Sequence, residues 1–339
     1  MQLSDFDFPF DPSLIALHPV EPRDQARLLI LRRETGEIVH GRIADLPGLL
    51  NRGDLLVAND TKVLPARLIA RRADTRKQVE VLFVRPVNDM GWEVLVKGRL
   101  RVGQRLELAP DAIATIVKRD QSGTVVRINS SRTFRDIMDE RGRMPLPPYI
   151  KREPMPEDRG WYQTTFASED GAIAAPTAGL HLTERLRTQL SEHGIEWTTI
   201  TLHVGPGTFK PVTTARIEEH RMEAERCVLS EETALMVNRT RGRHGRVVAV
   251  GTTSVRTLES SSHEDGQVSA SSGDTSLFIT PGYRFRVIDG LLTNFHLPKS
   301  TLLMLVSAFA GIELMREAYR VAVQERYRFY SYGDAMLIL

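Results

Sequence analysis

The stretch DGLLTNFHLPKSTLLML at 289–305 sets Asn294, His296 and Lys299 within six residues of one another. They stand directly ahead of an apolar run that reads as a buried helix capped by Ser300 or Thr301. Polar side chains between apolar neighbours must find partners, so a cleft is expected here, with Lys299 able to neutralise a carboxylate or phosphate. A second stretch, GAIAAPTAGLHLTERL at 171–186, has Gly171 and Gly179 for close backbone approach and Thr177 or Thr183 as a helix cap. There His181 could move a proton beside a helix terminus. A third, TLHVGPGTFKPV at 201–212, runs a strand into a tight turn, and ligands of open α/β sheets gather at strand ends. Gly205 and Gly207 would admit a flat ligand, Phe209 would stack on it, and Thr208 would donate a hydrogen bond. By the two-residue period, His203 shares a strand face with Gly205.

Three weaker signals follow. RIEEHRMEAERCVLS at 216–230, taken as a helix, makes Glu219 and Glu223 an i,i+4 carboxylate pair and offers Glu219 or His220 for acid/base work. In GTTSVRTLES at 251–260 the hydroxyls of Thr252, Thr253 and Ser254 would cap a helix. Arg256 then opposes the helix dipole, as it would if it answered a bound carboxylate or phosphate, or an internal ion pair. Near the C-terminus, Tyr330 and Tyr332 could line a base pocket. Each signal also has a plain structural reading: an inward histidine, a solvated helix face, a core aromatic. No GxGxxG, GxxxxGK[ST] or HExxH pattern occurs, and the single cysteine, Cys227, leaves no CxxC site or internal disulfide. No metal and no prosthetic cofactor are expected.

The elements that position these residues fall into two textures. Up to residue 64, and again from 151 to 339, strands such as RLLIL and RVVAV alternate with helical patterns. Between 65 and 150 lie six short β-rich runs bounded by turn residues, the spacing of a small antiparallel barrel. The expected fold is an α/β main domain built from both ends of the chain, with the barrel inserted. The Ser-rich stretch 261–276 reads as a mobile loop, SLFITPG as a strand after it. Within 339 residues of net charge +2, positions 63–135 hold 15 Lys/Arg against 7 Asp/Glu. A basic module in an otherwise acidic protein points to a polyanion such as nucleic acid. Arg71, Arg72 and Arg76, with the cluster Arg239, Arg241, Arg243 and Arg246, would track its phosphates. No secretory signal or membrane-length apolar run is visible, so a cytoplasmic location is expected.

The segments GAIAAPTAGLHLTERL, TLHVGPGTF, EEHRMEAE, VAVGTTSVRTLES, DGLLTNFHLPKSTLLMLVSAFAG and YRFYSYGDAMLI, in that order, resemble the signatures of the S-adenosylmethionine:tRNA ribosyltransferase-isomerase family of queuosine biosynthesis. The resemblance extends to LSDFDFPFDPSLIALHPVEPRDQARLL, GDLLVANDTKVLPARL and RMPLPPYI, and so spans nearly the whole chain. It implies a monomeric enzyme that moves the ribosyl moiety of S-adenosylmethionine to 7-aminomethyl-7-deazaguanine at a tRNA wobble position. Isomerisation would give epoxyqueuosine, with release of adenine and methionine. On that reading His181 and His203 lead as acid/base candidates, with Glu219 and His296 in reserve. Arg256 and Lys299 would meet the methionine carboxylate or a tRNA phosphate, and Thr208, Phe209 and Asn294 would hold a heterocycle. Gly179, Gly205, Gly207, Thr253 and Tyr332 complete the expected binding set. A tRNA-binding module without catalysis and an S-adenosylmethionine-dependent RNA methyltransferase are the alternatives, separated by which products form.

Overall fold

Strands that are apolar at every position must be covered on both faces. The structure, a computed structural model, describes residues 1–87, 91–121, 123–205, 207 and 212–339. The chain opens with β1 (Arg27–Leu31), β2 (Ile38–Arg42), the short helix α1 (Leu46–Leu49), β3 (Leu55–Asn59) and β4 (Thr61–Val63). Six strands then close a barrel: β5 (Arg67–Arg72), β6 (Gln78–Val87), β7 (Gly91–Val96), β8 (Arg105–Ala109), β9 (Ala112–Asp120) and β10 (Gly123–Ser130). After it come α2 (Phe134–Arg141), α3 (Asp158–Trp161), β11 (Glu169–Ala172), α4 (Glu184–Glu192), β12 (Glu196–Leu202), β13 (Glu225–Leu229) and α5 (Glu231–Gly242). The chain ends with β14 (Val247–Val250), α6 (Thr252–Ser260), β15 (Ser271–Thr275), β16 (Gly290–Asn294), α7 (Thr301–Ala310), α8 (Ile312–Gln324) and β17 (Ala335–Ile338).

Nine strands form the main sheet in the order β15-β13-β12-β3-β14-β16-β17-β1-β2. Its centre, β12-β3-β14-β16, is parallel throughout. Alternate residues go to opposite faces: Leu55, Val57, Val247 and Ala249 join one core, Leu56, Ala58, Val248 and Val250 the other. Helices α6, α7 and α8 cover the first face and α1 and α4 the second. Thr183 caps α4 by accepting from the Leu186 N–H at 3.1 Å, and Gly194, at φ 75°, follows its end.

The α/β sheet and inserted antiparallel barrel match the fold expected from the sequence. In the barrel, β5 and β9 alternate buried and exposed positions, and Leu68, Ala70, Phe83, Leu106 and Ile116 fill the interior. Helix α2 closes it, with Phe134 stacked 4.5 Å from Phe83 and Ile137 and Met138 in the same core. The entering and leaving chains are stitched together: Arg67 and Arg143 exchange backbone hydrogen bonds at 3.2 and 2.9 Å. Gly142 fits there because a Cβ would lie 1.8 Å from the Pro65 carbonyl oxygen. Met144, Leu146 and Ile150 pack instead with Tyr162 and Tyr332, between the barrel and the sheet.

Three local expectations are corrected. Residues 216–230 are not a helix: a single turn at Ile217–Glu219 precedes strand β13, so Glu219 and Glu223 do not share a helical face. The Ser-rich stretch is not a free loop, because Ser271–Thr275 forms the edge strand β15 against β13. An edge strand needs only backbone partners, so its lack of apolar anchors was no obstacle. Asn238 also ties Val268 with two hydrogen bonds, at 2.9 and 3.0 Å. Finally, SLFITPG forms no strand; Leu277, Phe278 and Ile279 turn their apolar side chains to a cavity instead.

Candidate active site

A cavity of about 340 Å³ opens where the central strands end. Its walls come from Ala174–Ala178 after β11, Val204 after β12, Gly251–Thr253 after β14, and Thr293–Leu297 at the end of β16. Tyr149, Tyr162 and Tyr330 close one side, and Leu277, Phe278 and Ile279 another. The C-terminal edge of a parallel sheet is where such folds hold ligands. The volume falls in the range of small-molecule sites.

Helix α6 starts at this wall. Its N-cap is Gly251, whose φ of 87° is in the region glycine tolerates, and no side chain caps it. Two of the three hydroxyls expected as caps are used elsewhere: Thr253 Oγ1 accepts from Asn59 Nδ2 at 3.2 Å, and Ser254 Oγ donates to the Val250 carbonyl at 2.9 Å. The first N–H groups of α6 therefore face the cavity without a side-chain cap. Tyr330 takes a left-handed φ of 71°, a conformation costly for a bulky residue and found where a site demands it. Backbone bonds to the Phe295 carbonyl at 3.2 Å and from Gly333 at 2.9 Å hold it there.

Several polar atoms of this otherwise apolar cavity lack a protein partner. Asn294 Oδ1, His296 Nδ1 and the hydroxyl oxygens of Tyr162 and Tyr330 are all buried without one. Such atoms are costly unless a ligand or water satisfies them. His296 Nε2 lies 3.2 Å from Thr293 Oγ1, and its backbone N–H donates to the Tyr319 hydroxyl at 2.9 Å. Burial drives the His296 imidazole down to about 3, so it is neutral at physiological pH.

Five of the candidate residues singled out from sequence line the cavity, Thr253, Arg256, Asn294, His296 and Tyr330, as do the expected helix caps Thr177, Thr252, Ser300 and Thr301. Arg256 is not free for a ligand's carboxylate. It is buried in an ion pair with Glu225 and donates to the Leu277 and Thr275 carbonyls at 3.1 and 3.2 Å. Glu225 in turn accepts from the Gly205 N–H at 2.9 Å. The pair thus ties α6, β13, β15 and the turn after β12 into one wall. Removing one partner of a buried pair typically costs about 3–5 kcal/mol.

The two leading acid/base candidates lie outside this cavity and are not brought together. His203 is half-buried, its Nδ1 2.8 Å from Thr61 Oγ1, and it packs so closely on Gly171 that a Cβ there would sit 2.9 Å from the ring. Burial lowers its pKa, opposed by Glu169 and Asp60. His181 lies behind Asn294, fully buried and lowered to about 4 by burial. Glu219 is exposed, and Lys299 pairs at the surface with Asp7 at 2.7 Å. Gly179 is packed against Thr164 and Phe166. A Cβ on Gly207 would meet Glu223 at 2.8 Å. Tyr332 donates to buried Asp158 at 2.8 Å. Thr208 and Phe209 lie outside the described residues.

The basic residues divide. Arg72 and Arg76 on the barrel pair with Asp74 and Glu107, at 3.0 and 2.6 Å. Exposed Arg71, Lys77, Arg99, Arg101 and Arg105 at the same barrel end form no ion pair among the described residues. Arg239, Arg241, Arg243 and Arg246, expected to track phosphates, each have partners within the protein. Arg239 and Arg243 share Glu196, Arg241 binds the Arg286 and Val287 carbonyls, and Arg246 pairs with buried Asp54 at 2.6 Å. These contacts lie at the starts of β12, β3 and β14, the sheet end opposite the cavity.

Tyr149, Tyr162 and Thr293 escaped the sequence reading. The tyrosines come from proline-rich and loop segments with no periodic signal, and Thr293 looked like one more strand residue. Among the described residues no group of three or more His, Cys, Asp or Glu is placed to hold a metal ion. None of the helices is long and apolar enough to cross a membrane among the described residues.

Fold and site together define an α/β enzyme with an inserted barrel, whose largely apolar cavity has the size to hold a small organic substrate. Residues 3–338 match the family described as "Queuosine biosynthesis protein". The chain is 51% identical over 344 residues to the S-adenosylmethionine:tRNA ribosyltransferase-isomerase of Moorella thermoacetica, and 50% identical over 342 residues to that of Carboxydothermus hydrogenoformans. Each alignment covers 100% of both proteins. The crystal structure of S-adenosylmethionine tRNA ribosyltransferase from Thermotoga maritima is similar at 37% identity with a TM-score of 0.58, over 99% of this chain and 100% of that one. The chain belongs to the queuosine-biosynthesis family of S-adenosylmethionine:tRNA ribosyltransferase-isomerases.

The buried histidines make a pH prediction. In the unfolded chain both rings titrate near about 6.5, whereas His181 and His296 in the fold are held at about 4 and about 3. The unfolded state therefore binds protons first as pH falls. The stability lent by the neutral rings is complete above about pH 6.5 and is lost progressively toward pH 4 and below. Thermal melts should show a falling Tm below about pH 6.5, and a His181→Gln, His296→Gln double variant should show a shallower fall. Parallel pH profiles for the two proteins would contradict this origin.

Proposed function

We propose that this chain transfers the ribosyl part of S-adenosylmethionine to 7-aminomethyl-7-deazaguanine at a tRNA wobble position and isomerises it. The products would be epoxyqueuosine-tRNA, adenine and methionine. The observation that carries the reading is the apolar cavity at the strand ends, with His296 Nδ1 buried in it and unpartnered. S-adenosylmethionine is a substrate here rather than a resident cofactor.

Each feature of the cavity has a task in this reaction. The sulfonium acidifies the C5′–H, and neutral His296 takes that proton as the ribose opens and adenine departs. As a weak base in a dry site, His296 does not hold the proton but returns it to the leaving adenine. The amino group of the tRNA base then adds to the opened ribosyl carbon chain, releasing a proton to solvent, and the chain recloses through a carbon–carbon bond into a five-membered carbocycle. Closure of the epoxide releases methionine. Tyr149, Tyr330 and Phe295 offer aromatic faces to the sulfonium charge. With Arg256 committed to Glu225, the methionine carboxylate is assigned to the uncapped start of α6, where N–H groups and dipole favour an anion. The apolar walls keep water from the reactive intermediate.

The exposed, unpaired cations at one barrel end are assigned to tRNA phosphates. A tRNA substrate places the work in the cytoplasm. One chain carries both barrel and cavity, so a monomer suffices.

Mass spectrometry after incubation with S-adenosylmethionine and tRNA carrying the aminomethyl base should find epoxyqueuosine in the tRNA together with free adenine. His296→Gln should lower kcat by about a hundredfold or more while changing the KM for S-adenosylmethionine little. S-adenosylhomocysteine as the product would instead identify a methyltransferase, and absence of both products with tRNA bound would leave a binding module. Separately, Arg71→Glu with Arg101→Glu should weaken tRNA binding and flatten its salt dependence by about 1–2 in log–log slope, with S-adenosylmethionine binding unchanged. Unaltered tRNA affinity would remove the barrel from the interface.

A further inference from the structure

Two asparagines end strands β3 and β16, which flank β14 in the parallel core, and their hydrogen bonding differs. Asn59, the last residue of β3, is saturated. Its Nδ2 donates to the Leu202 carbonyl at 2.9 Å and to Thr253 Oγ1 at 3.2 Å, and its Oδ1 accepts from the N–H groups of Leu202 and Thr61 at 3.0 and 3.1 Å. Asn294, the last residue of β16, is satisfied on one side only. Its Nδ2 faces the Tyr330 carbonyl at 3.0 Å, the Asp334 carbonyl at 3.5 Å and His181 Nε2 at 3.3 Å, while Oδ1 is buried with no partner.

The orientation of that amide is fixed by its surroundings. Two carbonyls accept only from N–H, so they select the Nδ2 vertex. His181 Nε2 lies 3.3 Å from Asn294 Nδ2, and the buried neutral ring can accept there from the amide N–H. The cations Arg23 and Arg328 nearby reinforce the neutral ring. All three acceptors lie on one side of the amide. Oδ1 therefore occupies the other vertex, on a side chain that lines the cavity.

We infer that His181 is a positioning residue: it locks the Asn294 amide so that Oδ1 stands as an acceptor for an amino group of the bound nucleoside. The inference rests on the proposed function, and it moves His181 away from the proton-transfer role suggested by its sequence context. Two donors have this chemistry, the 6-amino group of the adenine in S-adenosylmethionine and the 2-amino group of the tRNA base. A ligand that offers a carbonyl at the same place would face Oδ1 lone pair to lone pair.

Calorimetry separates these possibilities. In one arm, binding of S-adenosylmethionine is compared with that of its 6-oxo counterpart, in which hypoxanthine replaces adenine. In the other, tRNA carrying the aminomethyl base is compared with tRNA whose base lacks the 2-amino group. The wild-type protein should prefer the amino form in one arm by about tenfold or more. His181→Leu, which supplies neither donor nor acceptor, should reduce that preference to less than about threefold, as should Asn294→Ala. His181→Gln, whose amide oxygen can accept from Asn294, should keep it. A purely structural role for His181 would lower the melting temperature of His181→Leu but leave the preference intact. Should His181→Leu fail to fold, Asn294→Ala and His181→Gln still decide the matter. No preference in either arm for the wild type, or a preference unchanged in Asn294→Ala, would overturn the inference. Because these are binding ratios, they are read whether or not adenine is released, so failure here is distinct from failure of the proposed reaction.

Discussion

The parallel centre of the sheet is buried on both faces, and that constraint governs where chemistry can occur. Strands β3, β14 and β16 are buried at every position, so their interior residues are chosen for packing and their backbone groups are consumed by the ladder. Polar side chains can enter only where strands end. Asn59, Asn294 and His296 do so at the C-terminal edge, and α6 begins there as well. At the opposite edge Arg239 and Arg243 pair with Glu196, and Arg246 pairs with Asp54.

The cavity wall depends on interactions that carry no charge outward. The Arg256–Glu225 pair joins four elements while presenting almost no net field, and the Leu277 and Thr275 carbonyls accept two further guanidinium N–H groups. A positively charged substrate such as a sulfonium would meet the neutral His296 imidazole, aromatic faces and apolar walls rather than a competing cation. A free guanidinium in the same place would repel it. The neutrality of His181 and His296 follows from the same burial that excludes water.

Much of the fold was legible in the sequence because apolar runs, turn residues and alternation are local signals. The barrel between β5 and β10 and the central strands show this directly. The edge strand β15 was not legible, since backbone pairing with β13 needs no apolar residue. The site was legible as segments rather than as roles. GAIAAPTAG, GTTS and TNFH do converge on one cavity, yet His181 and His203 promised chemistry because their neighbours are glycines and strand ends. Their side-chain directions depend on tertiary contacts, Asn294 and Arg23 for one and Thr61 for the other, that no spacing encodes. His296, beside them in sequence rank, is the histidine that reaches the cavity. The arginines at 239–246 show the opposite limit: a charge cluster states nothing about its internal partners until Glu196 and Asp54 are brought beside it.

The central claim is that the strand-end cavity holds S-adenosylmethionine, and a crystal structure of the chain with that compound bound tests it most directly. The account predicts density between Ala174–Ala178, Gly251–Thr253 and Asn294–His296, with the carboxylate at the start of α6 and a ribosyl carbon facing His296 Nδ1. Density in the groove between α4 and α5 at the opposite edge of the sheet, with the strand-end cavity unchanged, would contradict it.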